Sequence, residues 1–413
     1  MENITTGKKV ILGFQHVLAM FGATVLVPIL TGLDPAIALL AAGIGTLLFH
    51  AVTKGMVPVF LGSSFAFIPA IAVTLSNQGL ASVKGGLIIA GIIYVIMGGI
   101  IKLFGVETVK SFFPPIVTGP IIMVIGLRLS PIAITDAMYE RLGDGGVLFR
   151  PDFLLVSSIV VLSMIVISIF AKGFFKLVPI LISVIIGYIV AYGMGFVNTS
   201  AIVEAPWISL LDEAFVSQIL TLPSFNWTGI IAIAPIALVV FIEHIGDITT
   251  NGAVVGKDFF KNPGIHRTML GDGIATITAG LLGGPANTTY SENTGVLAVT
   301  KVYDPSVIRL AAIFAIFLSF IGKFGAIVRT IPTPVMGGVS IILFGMIASV
   351  GVRILINAEL DFAHSRNLII SALILVLGIG IADIPLVNDL QISGLAIAAL
   401  AGVIFNKVLP KEI

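Results

Sequence analysis

Leu61–Pro69 reads LGSSFAFIP and Gly284–Gly295 reads GPANTTYSENTG. Both are runs of small, hydroxylated, β-branched and aromatic residues, which favour extended backbone over helix, and Pro69 and Pro285 punctuate them. Each lies inside sequence that otherwise reads as bilayer interior. Backbone outside a helix is tolerated at membrane depth only where it is buried in protein or lines a cavity. The expectation is two short extended segments that pair near mid-membrane, each leading into the N-terminus of a half-helix. Such N-termini offer free N–H groups and partial positive charge to an electronegative ligand group. The alternative is that these are Gly- and Ser-rich packing segments for close helix contact.

The surrounding chain sets the class. Of 413 residues, 57% are hydrophobic and 10% charged, against about 25% charged in a soluble domain. This is the composition of an all-α polytopic membrane protein with a single membrane domain. Apolar runs give fourteen crossings, at 10–31, 35–53, 59–77, 84–104, 114–134, 153–171, 177–196, 228–248, 268–284, 288–300, 306–322, 332–351, 367–382 and 389–407. The first run is longer than the apolar part of a secretory signal, so it reads as a span. With the N-terminus in the cytoplasm, Lys8, Lys9, Lys54, Lys102, Lys110, Lys172, Lys176, Lys257, Lys261, Arg267, Lys301, Arg353, Arg366, Lys407 and Lys411 fall inside. Lys84, Arg141, Arg150, Lys323 and Arg329 fall outside. This asymmetry satisfies the positive-inside rule and supports an even number of crossings with both termini inside. A net charge of +1 argues against nucleic-acid binding, and the lack of cysteine excludes disulfides, Fe–S clusters and thiolate metal sites. The connections at 136–152 and 198–227 read as extracellular, with no legible chemistry.

An internal repeat organises the spans. Gln15-His16 in the first span matches Glu243-His244 in the eighth, 228 residues on. Gly62-Ser63-Ser64-Phe65 in the third matches Asn287-Thr288-Thr289-Tyr290 in the tenth at an offset of 225. Pro115, Gly119 and Gly126 in the fifth align with Pro334, Gly338 and Gly345 in the twelfth at 219. Ordered matches at nearly constant offset indicate two halves of seven spans. Seven is odd, so the halves insert with opposite topology, an arrangement of secondary transporters that places substrate between the repeats at the bilayer midplane.

Acids in these spans mark the candidate site. Glu243 lies in VVFIEHIGD, and Asp247 is one helical turn on, on the same face. Holding a carboxylate at the bilayer centre costs roughly 2.5–3.5 kcal/mol on insertion scales, so an intramembrane acid marks a pathway or a ligand, or else a structural hydrogen bond near a helix end. Glu292 follows the second extended segment, where the backbone N–H groups of Tyr290 and Ser291 sit beside its carboxylate. Acceptors next to donors suit a small flat molecule with alternating N–H and C=O groups. A nucleobase fits, with Phe65 and Tyr290 to pack against it; an amino acid or an ion would use the same groups. A proton-coupled carrier needs an exchangeable acid, for which Glu243, Asp247 and Glu292 are the candidates. His16 and His244 either hydrogen-bond neighbouring helices or carry a proton. Asp272 reads as a core hydrogen-bonding residue or part of the proton path, and Asn287 and Asn293 as fixing the broken backbone.

These motifs resemble a known family. ENTGVLAVTK at Glu292–Lys301 is similar to the signature of the nucleobase-ascorbate transporters, or nucleobase:cation symporters of the second kind. Gln15-His16, LGSSFAFI at Leu61–Ile68, EHIGD at Glu243–Asp247, NTTYSEN at Asn287–Asn293 and PVMGGVS at Pro334–Ser340 also resemble it. The resemblance runs from about residue 10 to the C-terminus and is strongest to the bacterial members that import uracil with protons. It implies fourteen segments in two inverted repeats, with short strands in segments 3 and 10. It implies a core (10–104 and 228–322) that holds the base, a gate (114–196 and 332–407), and a homodimer through the gate. It assigns Glu243 and Glu292 to the ring nitrogens and the backbone of Phe65 and Ser291 to the ring carbonyls. Tyr290 lies beside the base, Ser340 on the gate side, and His16, His244 and Asn293 are supporting polar contacts.

The chain departs from the family pattern at three positions. Asp247 stands where uracil carriers often have a histidine implicated in proton coupling, Ser291 where glycine is familiar, and Phe344 where a tyrosine is. Glu292 favours uracil, because purine carriers tend to have Gln there. The expected function is thus a uracil:proton symporter of the bacterial cytoplasmic membrane, working by elevator-like movement, with Glu243 and Asp247 in proton coupling and no cofactor. Its near alternative is a purine (xanthine or uric acid type) symporter. An ion channel would need a continuous polar lining and charge rings, and an enzyme a metal cluster or nucleophile–base pair; neither pattern is present.

Overall fold

A computed structural model describes residues 5–105, 107, 111–143, 145–381, 384–385 and 391–410. Lys110 and Lys411, residue 382 of the thirteenth expected span and residues 389–390 of the last lie outside the described residues.

The chain opens with α1 (Thr6–Thr31), closed by Gly32 in the left-handed region at φ 83°, and α2 (Pro35–Val52). Asp34 caps α2 by accepting from the Ala36 N–H at 2.7 Å, which satisfies one of the helix's orphan donors. The next span is broken. Strand β1 (Leu61–Ser63) leads through a 3-10 turn at Phe65–Phe67 into α3 (Ile68–Gln78). There follow α4 (Leu80–Phe104) and α5 (Pro115–Met138), then a hairpin of β2 (Tyr139–Arg141) and β3 (Val147–Phe149). Next come α6 (Pro151–Phe170), α7 (Pro179–Gly193) and the short helices α8 (Thr199–Glu204) and α9 (Glu213–Leu220).

The second part again carries a short strand between helices. Helix α10 (Trp227–Ile233) runs through a 3-10 turn at Pro235 into α11 (Ala237–Val255), followed by α12 (Ile265–Leu282). Strand β4 (Asn287–Thr289) leads into α13 (Ser291–Thr300). Then come α14 (Pro305–Ser319), α15 (Gly322–Arg329), α16 (Thr333–Asn357), α17 (Ser365–Gly380), a strand pair at Ile384–Pro385 and Gln391–Ile392, and α18 (Gly394–Val408). Among the described residues, seven helices are long and apolar enough to cross a membrane and five shorter apolar ones accompany them.

Two sets of helices pack around different axes. In one, α12 lies between α4 and α2, and α14 lies against α2 and α1. In the other, α5 and α16 lie against each other, flanked by α6 and α7 on one side and α17 and α18 on the other. Reciprocal glycines bring backbones together in both: Gly91 faces Gly273 between α4 and α12, and Gly119 faces Gly351 between α5 and α16. With little hydrophobic drive between helices in lipid, such small residues allow the close van der Waals contact that holds a bundle together. The aligned glycines of the third sequence match are used differently. Gly119 and Gly126 both pack on α16, whereas Gly338 packs on α6 and Gly345 faces open space.

The connections are more structured than the sequence suggests. Arg150 ties the β2–β3 hairpin to α6 through Glu140 and Asp152. Lys84, counted from sequence among the outer charges, is buried, and its ammonium donates to the carbonyls of Ile219 (3.0 Å), Thr221 (2.7 Å) and Leu281 (3.0 Å). These carbonyls sit at the C-terminal ends of α9 and α12, where a cation complements both helix dipoles. Segment 198–227 is therefore docked rather than free.

Candidate functional site

The two interrupted spans meet. Strands β1 and β4 run antiparallel, with Leu61 opposite Thr289, Gly62 opposite Thr288 and Ser63 opposite Asn287. The ladder extends one bond at each end, as the Ser64 N–H donates to Ala286 O (2.8 Å) and the Tyr290 N–H to Phe60 O (3.0 Å). The next amides, of Phe65 and Ser291, are the first beyond the ladder, and both open helical turns. Helix-opening N–H groups lack an intrahelical acceptor, so two donor-rich helix starts flank the strand pair.

Side chains from neighbouring helices hold the strands, because three-residue strands leave backbone groups to satisfy. Thr46 on α2 accepts from the Leu61 N–H (2.9 Å), and Thr276 on α12 donates to Asn287 O (2.9 Å). Asn287 in turn donates to Ala41 O (2.9 Å). Tyr290 is buried, and its hydroxyl donates to Ser63 O at 2.8 Å. Its ring lies over Gly62, where a Cβ would collide with it. The aromatic ring expected beside a ligand is thus also the brace between the strands.

Helix α11 contributes a polar stripe at spacing four, made by Glu243, Asp247 and Asn251. Asp247 is tied at both oxygens, accepting from Thr289 Oγ1 (2.8 Å) and Ser291 Oγ (2.5 Å). It thereby fixes the turn where β4 becomes α13. Asn251 is buried and donates to Pro58 O (3.2 Å) and Thr294 Oγ1 (3.1 Å). Glu243 is different. It is half-buried, has no hydrogen-bonding side-chain partner among the described residues, and lies within electrostatic reach of Asp247, Glu292 and Asp272. Glu292, in the first turn of α13, is also half-buried and without a side-chain partner among the described residues. The helix dipole favours a carboxylate at that position.

The histidines are absorbed by structure. His16 on α1 receives the Asn293 amide at both Nδ1 and its backbone carbonyl (3.1 Å each). His244 points away from Glu243, with Nδ1 2.8 Å from Asp272 Oδ2 and Nε2 2.8 Å from Thr268 Oγ1. The Thr268 hydroxyl donates to Ile265 O, so it accepts from His244 Nε2–H. Across from the crossing, Phe65 meets Phe344 of α16 edge-on at 6.2 Å. On the same helix Ser340 is buried with its hydroxyl unpartnered among the described residues.

The strand pair therefore brings Phe65, Tyr290, Ser291, Glu292, Asp247 and Glu243 to one place, with Ser340 and Phe344 on the facing helix. Asn293 and His16 stand behind it, and His244 turns to α12. Asn251, Thr268, Thr46 and Thr276 were not singled out by sequence reading, and Thr289 entered it only within a repeat match and a motif. Signals for three of them existed: Asn251 continues the spacing of four, and Thr46 and Thr276 are 230 apart, close to the repeat offset. Among the described residues no group of three or more His, Cys, Asp or Glu is placed to hold a metal ion. The arrangement offers carboxylate acceptors beside backbone donors, which is suited to binding rather than to bond-making chemistry.

A many-spanned bundle with a central strand crossing is a membrane transport architecture. The same fold is found in the transmembrane domain of the cyanobacterial bicarbonate transporter BicA, with a TM-score of 0.63 and 14% identity over 98% of both chains. Residues 7–387 match the Xan_ur_permease model, described as the Permease family, and the chain belongs to that family. It is 43% identical to a probable uracil permease of Haemophilus influenzae, over 99% of this chain and 96% of the relative. It is 44% identical to a uracil permease of Bacillus caldolyticus, over 98% and 93%. The protein is a multi-pass membrane transporter, not an enzyme.

Proposed function

We propose that this transporter imports uracil with protons across the bacterial cytoplasmic membrane, with both termini in the cytoplasm. The observation that carries the reading is the pair of carboxylates, Glu243 and Glu292, without side-chain partners among the described residues, with the helix-opening amides of Phe65 and Ser291 next to the strand pair. Uracil presents two ring N–H donors and two carbonyl acceptors. The carboxylates accept from the ring nitrogens and the amides donate to the carbonyls, with Tyr290 beside the base and Ser340 facing it. Glu243 and Asp247 exchange the coupled proton, and His16, His244 and Asn293 support the site. The names of the two relatives and the acid at 292 favour uracil over a purine.

The same reading takes the fold as fourteen segments in two inverted repeats. That count adds α12 and the β4–α13 unit, both rich in polar residues, to the twelve apolar helices. Equivalent packing supports it: α4 with α12 answers α2 with α14, α6 with α16 answers α5 with α17, and α6 with α7 answers α17 with α18. Thr46 and Thr276 anchor the two strands from equivalent helices. Segments 10–104 and 228–322 form the core, and 114–196 and 332–407 form the gate, which also mediates a homodimer. The core carries substrate past the gate as an elevator.

Uptake of labelled uracil into proteoliposomes, with and without an inward proton gradient and with xanthine as competitor, tests this. Gradient-driven uptake resistant to xanthine is expected. Uptake indifferent to the gradient overturns the coupling, and uptake displaced by xanthine assigns the site to purines.

A further inference from the structure

The chain has two tryptophans: Trp207 lies in the connection between α7 and α10, and Trp227 is the first residue of α10. Trp207 is 76% exposed and Trp227 74% exposed. Between them lies a concentration of exposed apolar side chains, including Leu210, Leu211, Leu220 and Leu222. Leu210, Leu211, Val216 and Leu220, with Asp212, Glu213 and Ser217 also in its lining, form a groove of about 420 Å³. Large apolar surface of this kind is not stable in water and marks an interaction site.

The segment is held rigidly. Asp212 caps α9 through the Ala214 N–H (3.0 Å), and Phe215 is buried with Ala36, Ile37 and Leu40 of α2. Lys84 clamps the C-terminal end of α9, Gln218 donates to Gly283 O (2.9 Å), and Asn226 donates to Ser82 Oγ (2.5 Å). The exposed leucines are therefore displayed by a fixed scaffold, not by a collapsing loop. They also adjoin the end of apolar helix α14: the Ser209 N–H donates to Phe320 O (3.0 Å), the Ser209 hydroxyl donates to Ser319 O (2.7 Å), and the Gly322 N–H donates to Trp207 O (2.9 Å), next to the exposed Phe317.

We propose that segment 199–227 lies in the lipid headgroup layer, at the end of α1 remote from the N-terminus, and that its leucine groove takes a lipid acyl chain. Tryptophan is enriched at the membrane–water interface because its ring is apolar and its N–H polar. In this placement Leu210, Leu211 and Leu220 meet the acyl region, while Asp212 is neutralised by Arg329 (2.7 Å).

Tryptophan fluorescence reports this segment alone. The protein reconstituted in phosphatidylcholine vesicles, with Trp207→Phe and Trp227→Phe to separate the two signals, is compared in lipid brominated near the headgroup, lipid brominated at the chain end, and unbrominated lipid. Strong quenching by the shallow bromine, weak quenching by the deep one and little by aqueous iodide are expected. Quenching by iodide and not by bromolipid places the segment in water and overturns the proposal. Protection from both quenchers means that protein covers it, which overturns it equally. The double variant Leu210→Asp, Leu220→Asp should lose bromolipid quenching of Trp207 while keeping its melting temperature; unchanged quenching removes the groove from the proposal.

Discussion

The strand crossing and the face around α9 both bring acids to helix ends, and they treat them in opposite ways. Around α9 the two aspartates are bound. Asp34 and Asp212 cap α2 and α9, and Arg329 bridges both, at 2.8 Å and 2.7 Å. Lys84 gives all three of its donors to carbonyls there. At the crossing, Asp247 and Asp272 are tied, but Glu243 and Glu292 are left without side-chain partners among the described residues. Unpaired buried charge is costly. Among the described residues, Glu243 and Glu292 thus differ from Asp34, Asp212 and Asp247, which are held by side-chain partners, and the proposed uracil site rests on that difference.

Breaking a tied acid should cost stability, and breaking an open one should cost binding. The largest expected effect is Asp272→Ala, which strands His244 in the membrane interior. Removing one partner of a buried pair destabilises by about 3–5 kcal/mol, so thermal melting should fall well below wild type; an unchanged midpoint would show that the pair is not structural. Next, Glu243→Gln and Glu292→Gln should each weaken uracil binding by a factor of roughly 30–150, the equivalent of about 2–3 kcal/mol for a charge-assisted hydrogen bond. Both should melt like wild type. Calorimetry on the purified variants checks this, and normal affinity in either would erase the distinction between open and tied acids.

Lys84→Met leaves three helix-end carbonyls without their donor. A loss of about 1–3 kcal/mol, seen as faster proteolysis within 198–227, is expected with uracil affinity unchanged. Asp247→Asn sharpens the comparison from the other side, since Asp247 is tied and also close to the open acids. It should flatten the pH response of uptake more than it weakens affinity, and a preserved pH profile would remove it from proton coupling.

The smallest effect concerns the Asp212–Arg329 contact. Partial burial works to raise the Asp212 carboxyl, but the Arg329 guanidinium and the Ala214 and Phe215 amides hold it below the usual carboxylate range. A carboxyl depressed in the folded state contributes stability that is present above the unfolded value, about 3.9, and lost as pH falls through the folded one. The contact should hold from neutral pH down to about 5 and loosen only below about 4. Proteolysis of the α9 segment as a function of pH reads this out.

Much of this was legible in the chain. LGSSFAFIP and GPANTTYSENTG stand out because hydroxyl-rich, proline-punctuated sequence interrupts an apolar run, and of the extended and packing readings the structure has strands, β1 and β4, there. Glu243, Asp247 and Glu292 stand out because charge is rare in such spans. Less legible were the partners. Nothing in EHIGD says that Asp247 closes on Thr289 and Ser291 while Glu243 does not, or that His244 turns toward Asp272. The connection at 198–227 looked empty of chemistry because its meaning depends on Lys84, more than a hundred residues earlier.

The sequence alone determined the solvent this protein lives in, the places where its helices must break, and the residue types at those breaks. These follow from composition and backbone chemistry, which act locally. Tertiary structure decided which acids are satisfied and which remain open, and which apolar side chains stay uncovered. Hydrogen-bond satisfaction and burial are properties of contacts between segments far apart in the chain, and only the packed bundle assigns them.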